Sequence, residues 1–233
     1  MPDPQSKEVF RTMALDQALS SPFGEGWETL VAFAASDGSA SHPMCRRLAS
    51  PTALARDVAD TIHALCMLHG RHPGVLDHAM TRNALPALTG WFEAAVEGFA
   101  AERALLARLA AAVGPLPSTP HQAESEATIL AQRHALDTLA QSDRSGCAIG
   151  ASVALVIDWA SIRLVLDAAA ERLGIERRPP ALPIDSESAT IVATAAERPA
   201  AERAMAFGAQ QVLAQHRGLW DLLEARASAR TNG

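Results

Sequence analysis

The chain has 233 residues, of which 48% are hydrophobic and 20% charged, and its formal net charge at pH 7 is −6. This length allows one large domain or two small ones with a substantial core. Lysine occurs only at Lys7 and the arginines are scattered along the chain, so we do not expect the clustered basic surface that a nucleic acid requires.

Residues 1–49 carry the first helical signals, and we predict that they form an N-terminal helical extension. Asp3 can cap a helix that begins at the following proline. A second short helix is marked by four apolar residues at the spacing of one helix face: Trp27, Leu30, Val31 and Ala34. The loop "SDGSASHP" is expected to end it.

Residues 50–174 are predicted to form the core bundle. Its long helices are expected at residues 51–68, 86–113, 120–139 and 146–173, with a short segment at 75–82. The boundaries rest on cap and stop signals: Ser50-Pro51, Gly114-Pro115 and the capping-box pair Thr119 and Gln122. The inner face of the first of these helices is assigned to Leu54, Val58, Ile62, Leu65 and Cys66.

Residues 185–226 are predicted to form C-terminal helices, with Pro199 as a kink or a restart, and residues 227–233 to form a frayed tail. The long helices and short loops favour antiparallel packing. The sequence therefore predicts one all-α domain over residues 1–233, a bundle of about four long helices with two to three shorter packed helices and very little or no β structure.

The stretch 147–157 is apolar on nearly all sides, but a bilayer needs roughly twenty apolar residues. We therefore predict a buried central helix and no membrane span. The three cysteines, Cys45, Cys66 and Cys147, are odd in number and show no CxxC spacing, which is typical of reduced thiols. The chain start has no apolar signal region. These features predict a cytoplasmic protein.

The stretch "HALCMLHGRHPGVLDHA" contains half of the chain's eight histidines: His63, His69, His72 and His78. The spacing from Cys66 to His69 and His72 is as short as in metal sites, yet it matches no recognised zinc frame. We favour a reading without metal, in which His63 is a partly buried helix residue. His69 is then a cation at a helix C-terminus, and His72 and His78 are surface groups.

A second metal hypothesis places ligands inside the bundle. Carboxylates and imidazoles facing inward from several helices can hold iron. The candidates are Asp60, His63, His134 and Asp158, with His69, His72 and His78 as alternate ligands. The chain has no Glu-x-x-His sequence, so the pattern known from di-iron carboxylate proteins is incomplete. No cofactor is the default expectation, and iron, zinc or haem are the alternatives.

Asp158 interrupts the apolar run, and a buried carboxylate is costly unless it is paired. We predict that an arginine or histidine from another helix pairs with it. Gly146 and Gly150, at the start of the same helix, allow a neighbouring helix or a flat ligand to approach closely. Asp158 and the two glycines are therefore the predicted residues for binding a ligand or partner.

Two functions remain open from the sequence. The favoured one is a binding or interaction protein, expected to be a homodimer, whose Ala-rich faces take a partner helix or a small apolar ligand. The alternative is a metal- or haem-dependent helical protein, such as an oxidoreductase, with a His and carboxylate site in the bundle core. The sequence does not decide whether the protein is an enzyme.

Overall fold

The computed structural model describes residues 24–196 and 198–232, and within these ranges it is all-α with no strand. The α-helices of the described residues are α1 (Glu25–Asp37), α2 (Pro43–Leu48), α3 (Ala55–His69), α4 (Val75–Arg82), α5 (Thr89–Ala112), α6 (Gln122–Ala140), α7 (Cys147–Arg172), α8 (Asp185–Ala195) and α9 (Pro199–Asn232). Short 3-10 turns at Ser39–Ser41 and Pro86–Leu88 precede α2 and α5. The predicted all-α fold is confirmed, and the helix predicted after Asp3 lies outside the described residues.

The four predicted long helices of the bundle are present as α3, α5, α6 and α7, and each begins later than predicted, by one to four residues. α3 begins at Ala55, after a turn at Pro51, and Leu54 is 54% exposed instead of belonging to the inner face. α6 begins at Gln122, because His121 adopts a left-handed backbone with φ 59°. Thr119 does not cap α6; its hydroxyl accepts a hydrogen bond from Arg230.

α7 is the central helix, as predicted. Most of its residues are buried, and Trp159, Ile162 and Leu166 are fully so. Among the described residues, α7 is the one helix that is long and apolar enough to cross a membrane by length and composition. Most of its apolar stretch is covered by the other helices, which is the position of a core helix.

α9 packs along α7 over a longer interface than any other helix pair of the described chain. Gly146 lies against Ala201, Gly150 lies against Met205, and Asp158 contacts His216. Residue numbers rise together along both helices, so this pair is parallel, and the predicted antiparallel packing does not apply to it. The chain returns from the end of α7 to the start of α9 through α8 and its flanking loops.

The close approach of α7 and α9 depends on glycine. A Cβ atom at Gly150 would lie 2.0 Å from the carbonyl oxygen of Met205, and one at Gly208 would lie 2.1 Å from that of Cys147. Real Cβ atoms do not approach a backbone atom so closely, so only hydrogen fits at either position. The Gly146-x3-Gly150 pattern thus serves helix packing within this chain.

The C-terminal end of α9 is a structural element, and the predicted frayed tail is wrong for residues 227–232. Arg230 donates to Asp57 at 2.9 Å and to Asp60 at 2.6 Å, and Arg226 donates to Asp60 at 2.8 Å. All four side chains are buried. Burial would lower the pKa of Arg230, but its hydrogen bonds to Asp60 and Asp57 and their charges outweigh this effect and raise it. These ion pairs fasten α9 to the start of α3.

Candidate functional site

A continuous chain of hydrogen bonds runs through the bundle core, and we call it the Asp158 network. Its members are Ser39 in the 3-10 turn after α1, His69 on α3, Asp158 on α7, and His216 and Trp220 on α9. Each of the five is at most 6% exposed. The network therefore joins four parts of the fold in surroundings that exclude water, where a satisfied hydrogen bond is strong and a missing one is costly.

Asp158 is the centre of the network. Its Oδ1 accepts the backbone N–H of Ser39 at 2.7 Å, and its Oδ2 accepts the Ser39 hydroxyl at 2.6 Å. The same Oδ2 lies 2.6 Å from Nδ1 of His216, and Trp220 Nε1 donates to the Ser39 hydroxyl at 2.9 Å. The prediction that Asp158 has a partner from another helix is confirmed, and the partner is His216.

Local sequence explains how Ser39 reaches the carboxylate. A Cβ atom at Gly38 would lie 2.6 Å from Oδ1 of Asp158 and 2.3 Å from the carbonyl oxygen of Ala34. Glycine alone lets the backbone turn this close to both groups. On α9, His216 and Trp220 stand four residues apart and therefore on one face, so His216 reaches Asp158 while Trp220 reaches Ser39.

Asp158 is held in its charged form. Burial alone would raise the pKa of this carboxyl group, but the hydrogen bond and charge of His216 and the two hydrogen bonds from Ser39 lower it. The net direction is downward from the usual 3.8. A carboxylate that accepts several hydrogen bonds follows this rule in general.

His69 forms the outer end of the network. Its Nε2 lies 2.9 Å from Nε2 of His216, and its ring meets the edges of Trp159 and Phe99 at centroid distances of 5.4 Å and 6.1 Å. Burial, the charge of His216 and the charge of Arg103 lower the pKa of His69 well below 6.5. This direction favours the neutral imidazole at pH 7, and the 2.9 Å contact between the two Nε2 atoms fits one N–H donor and one acceptor.

The space around His69 is small. Beside it lies a cavity of about 10 Å³ under the turn that follows α3, lined in part by Arg71, Pro73, Arg133 and Asp137. About 10–15 Å³ of such volume holds one water molecule. The cavity beside His69 thus has no room for a substrate in this conformation.

A different site lies where α7 and α9 begin. A cleft of about 280 Å³, which we call the arginine cleft, is lined by Arg144, Ser145, Arg198, Ala200, Ala201, Arg203 and Ala204. The three arginines are exposed, and none forms an ion pair with another described residue. Arg144 also stacks over the ring of Phe207, with 5.2 Å from its guanidinium carbon to the ring centroid.

The arginine cleft continues into a second one. An adjoining cleft of about 430 Å³ shares Arg144 and Ser145 with it and extends to the end of α4. Arg82 lines this second cleft and is paired with Asp143. Glu202, next to Arg203 in sequence, points toward Gly26 of α1 instead. The arginine cleft itself is lined by no acidic residue of the described chain.

Comparison with known families identifies the chain at the level of sequence. Residues 34–231 match a family of unknown function (DUF6975). The chain belongs to this family. No curated protein and no solved structure shows a significant match to it. The part matched to DUF6975 contains the whole Asp158 network and all three arginines of the arginine cleft.

The candidate metal ligands of this DUF6975 member have separate partners. Asp60 binds Arg226 and Arg230, His63 Nε2 lies 2.9 Å from the carbonyl oxygen of Gly114, and His134 is exposed. No hydrogen bond between described residues joins His63 to Asp158 or His134. In residues 24–196 and 198–232, no group of three or more His, Cys, Asp or Glu side chains is placed to hold a metal ion.

The remaining histidines of the stretch "HALCMLHGRHPGVLDHA" also lie in different surroundings. His69 is at the end of α3 as predicted, but it is buried and its pKa is lowered well below 6.5, so its predicted role as a cation there is wrong. His72 is exposed, with its Nδ1 3.3 Å from Oδ1 of Asp77, and His78 is half-buried on α4. Only one of the four histidines therefore belongs to the Asp158 network.

Sequence reasoning missed Ser39, His216 and Trp220. His216 carried a usable signal, because it follows Val212 and Leu213 by four and three residues and so lies on a buried face of α9. Ser39 carried no such signal in the sequence, because it lies in the stretch "SDGSASHP", which is predicted to be a loop. The thiols contribute no nucleophile here: burial and the charge of Asp158 raise the pKa of Cys45 to about 12, and burial raises that of Cys66.

Proposed function

We propose that the protein is a binding protein for a small molecule that carries a phosphate or a similar oxyanion, and that the arginine cleft is its binding site. The observation that carries the proposal is the convergence of Arg144, Arg198 and Arg203 on one cleft without a described acidic partner. The binding class is the one favoured from the sequence, but the ligand is anionic instead of apolar.

The charge of the molecule supports this assignment. In a chain of net charge −6, three adjacent guanidinium groups are an exception to the overall acidity. They repel one another, and an anion between them would relieve that repulsion. Guanidinium also matches the geometry of phosphate and carboxylate oxygens, to which it can donate two parallel hydrogen bonds.

The size and position of the cleft fit the same ligand class. The arginine cleft of about 280 Å³ can take the anionic group, and the adjoining 430 Å³ can take the rest of the molecule. Small-molecule pockets commonly enclose about 300–1,000 Å³. α7 and α9 both begin at this end, and the positive ends of their dipoles add to the attraction for an anion.

The ligands expected from the sequence have less support. The small-residue face at Gly146 and Gly150 is filled by α9, so it cannot receive a partner helix or a flat ligand such as haem without separating the two helices. The metal-dependent alternative finds no shared site for its candidate ligands in the described chain. Asp158 is turned to Ser39 and His216. A cytoplasmic location and a homodimeric state stay part of the proposal and rest on sequence alone.

Titration calorimetry with pyrophosphate as the probe tests the proposal. We expect saturable binding at low ionic strength that weakens as salt approaches about 0.15 M, since screening then acts within about 8 Å. Arg144→Gln and Arg203→Gln should each reduce the affinity about 10-fold or more, because each removes a charge-assisted hydrogen bond.

The matched control is Arg177→Gln, which removes an exposed arginine outside the cleft. It should leave pyrophosphate affinity unchanged. Equal losses in all three variants would indicate a nonspecific charge effect, and an absence of binding to the wild-type protein would overturn the proposed function. Acetate serves as a weak monovalent comparison and should bind poorly.

A further inference from the structure

The contact between His69 and His216 cannot accommodate a second proton at the observed distance. The two Nε2 atoms lie 2.9 Å apart, and both rings are buried. One proton between them makes a hydrogen bond. A second proton would bring two N–H groups face to face at this distance, with no acceptor between them.

Positive groups outnumber unpaired carboxylates around His69. Arg103 from α5 raises the positive potential at the ring, and Arg133 from α6 and Arg71 from the following turn line the same small cavity. Three of the nearby carboxylates are paired, since Asp77 of α4 binds Arg103, Asp158 of α7 binds His216 and Glu102 of α5 binds Arg163. Asp137 of α6 lines the same cavity as Arg71 and Arg133.

His69 also lies at a position from which its side chain could leave with little disturbance of the rest of the fold. It is the last residue of α3, and the turn of residues 70–74 follows it directly. That turn is fixed at its far end by Asp77, whose Oδ2 accepts the backbone N–H of Gly74 at 2.8 Å and a guanidinium N–H of Arg103 at 3.0 Å. Withdrawal of His69 therefore opens only the end of α3 and the turn, while the bundle stays closed.

We propose that the His69–His216 contact is an acid-sensitive latch that fastens the end of α3 and the turn of residues 70–74 to α9, and that a second proton on the pair releases it. The inference is independent of the proposed ligand. It assigns the Asp158 network a regulatory role: Asp158 and Ser39 hold His216 in place, and His69 is the part that leaves. The released segment would open the cavity beside His69 to solvent.

Amide hydrogen exchange of the full chain between pH 7.5 and pH 5 tests the latch, after correction for the intrinsic pH dependence of exchange. For peptides covering residues 66–76, we expect the opening equilibrium constant to rise up to about 10-fold per pH unit below about pH 6.5, because one proton is bound on opening. Peptides from α8 should keep their protection, since the hydrogen bonds and ring contacts of the two histidines within the described chain come from other elements.

Two variants sharpen the test. His69→Gln keeps a donor and an acceptor near the Nε2 position but cannot gain a charge, so its exchange should be independent of pH in this range. His134→Gln, at an exposed position of α6 outside the turn, should behave as wild type. Protection of residues 66–76 that does not change with pH in wild type would overturn the latch even if His69→Gln failed to fold. An equal loss of protection in all peptides would indicate global acid unfolding instead and would also overturn it.

Discussion

At the residue scale, stability depends most on groups whose loss leaves a buried charge or donor unpaired. Asp158 satisfies three donors at once: the N–H and hydroxyl of Ser39 and the Nδ1 of His216. We expect Asp158→Asn to lower the free energy of unfolding by about 3–5 kcal/mol, the usual cost of removing one partner from a buried ion pair. Urea denaturation at pH 7 measures this change.

The control for Asp158→Asn is Asp167→Asn on the same helix. Asp167 pairs with Arg163 four residues earlier, but its side chain is 29% exposed, and Arg163 keeps its bond to Glu102. We expect a loss of about 1 kcal/mol or less, as for pairs near the surface. Equal losses in the two variants would contradict the special weight given to the Asp158 network.

The two residues of the Asp158 pair differ in how far sequence could predict them. A lone carboxylate in an apolar run has an obvious cost, so the need for a partner at Asp158 followed from chemistry. The identity of that partner depended on the register of α7 against α9, which lies 58 residues away and leaves no local trace. The three arginines of the cleft were read as scattered surface charge for the same reason, since they converge only when α7 and α9 begin side by side.

At the element scale, the contact between α7 and α9 is limited by backbone atoms, and glycine substitutions test it. Gly150→Ala would place a methyl group 2.0 Å from the carbonyl oxygen of Met205, so the helices must separate or shift. We expect a loss of at least about 1–3 kcal/mol, the common range for overpacking. Thermal or urea unfolding of the variant measures it.

Gly90→Ala is the matched control, because Gly90 lies in helix α5 and nothing would contact the added methyl group within 4 Å. Alanine is the better helix former by about 0.5–1 kcal/mol, so this variant should be more stable than wild type. A gain from both substitutions would mean that α7 and α9 do not meet as closely as the structure has them.

Helix boundaries were predictable where the chain itself stops the helix and not where tertiary contacts decide. Gly114-Pro115 limits α5 to its predicted end, within one residue. The capping-box prediction at Thr119 was wrong because that hydroxyl binds Arg230. Helix α9 extends beyond its predicted end because its last turns carry the arginines that neutralise Asp57 and Asp60. In both places a distant ion pair overrode a local preference.

At the scale of the whole molecule, the Asp158 network makes stability depend on pH in two separate ranges. The pKa of His69 is lowered in the folded state, so the unfolded chain binds more protons than the folded protein once the pH falls below about 6.5. The free energy of unfolding should therefore decrease with acid from that point, by up to about 1.4 kcal/mol per pH unit for one proton. His69→Gln should remove this part of the slope.

The second range belongs to Asp158, whose folded-state pKa is lowered from 3.8. Its contribution is fully present above about that pH, because the carboxyl group is then charged in both states. As the pH falls further, the unfolded chain takes the proton first, and the stabilisation is lost through the folded-state pKa. The difference in unfolding free energy between wild type and Asp158→Asn should thus stay constant from neutral pH down to about pH 4 and shrink below it. A difference that begins to shrink near pH 6 would show that Asp158 is not held charged by His216 and Ser39.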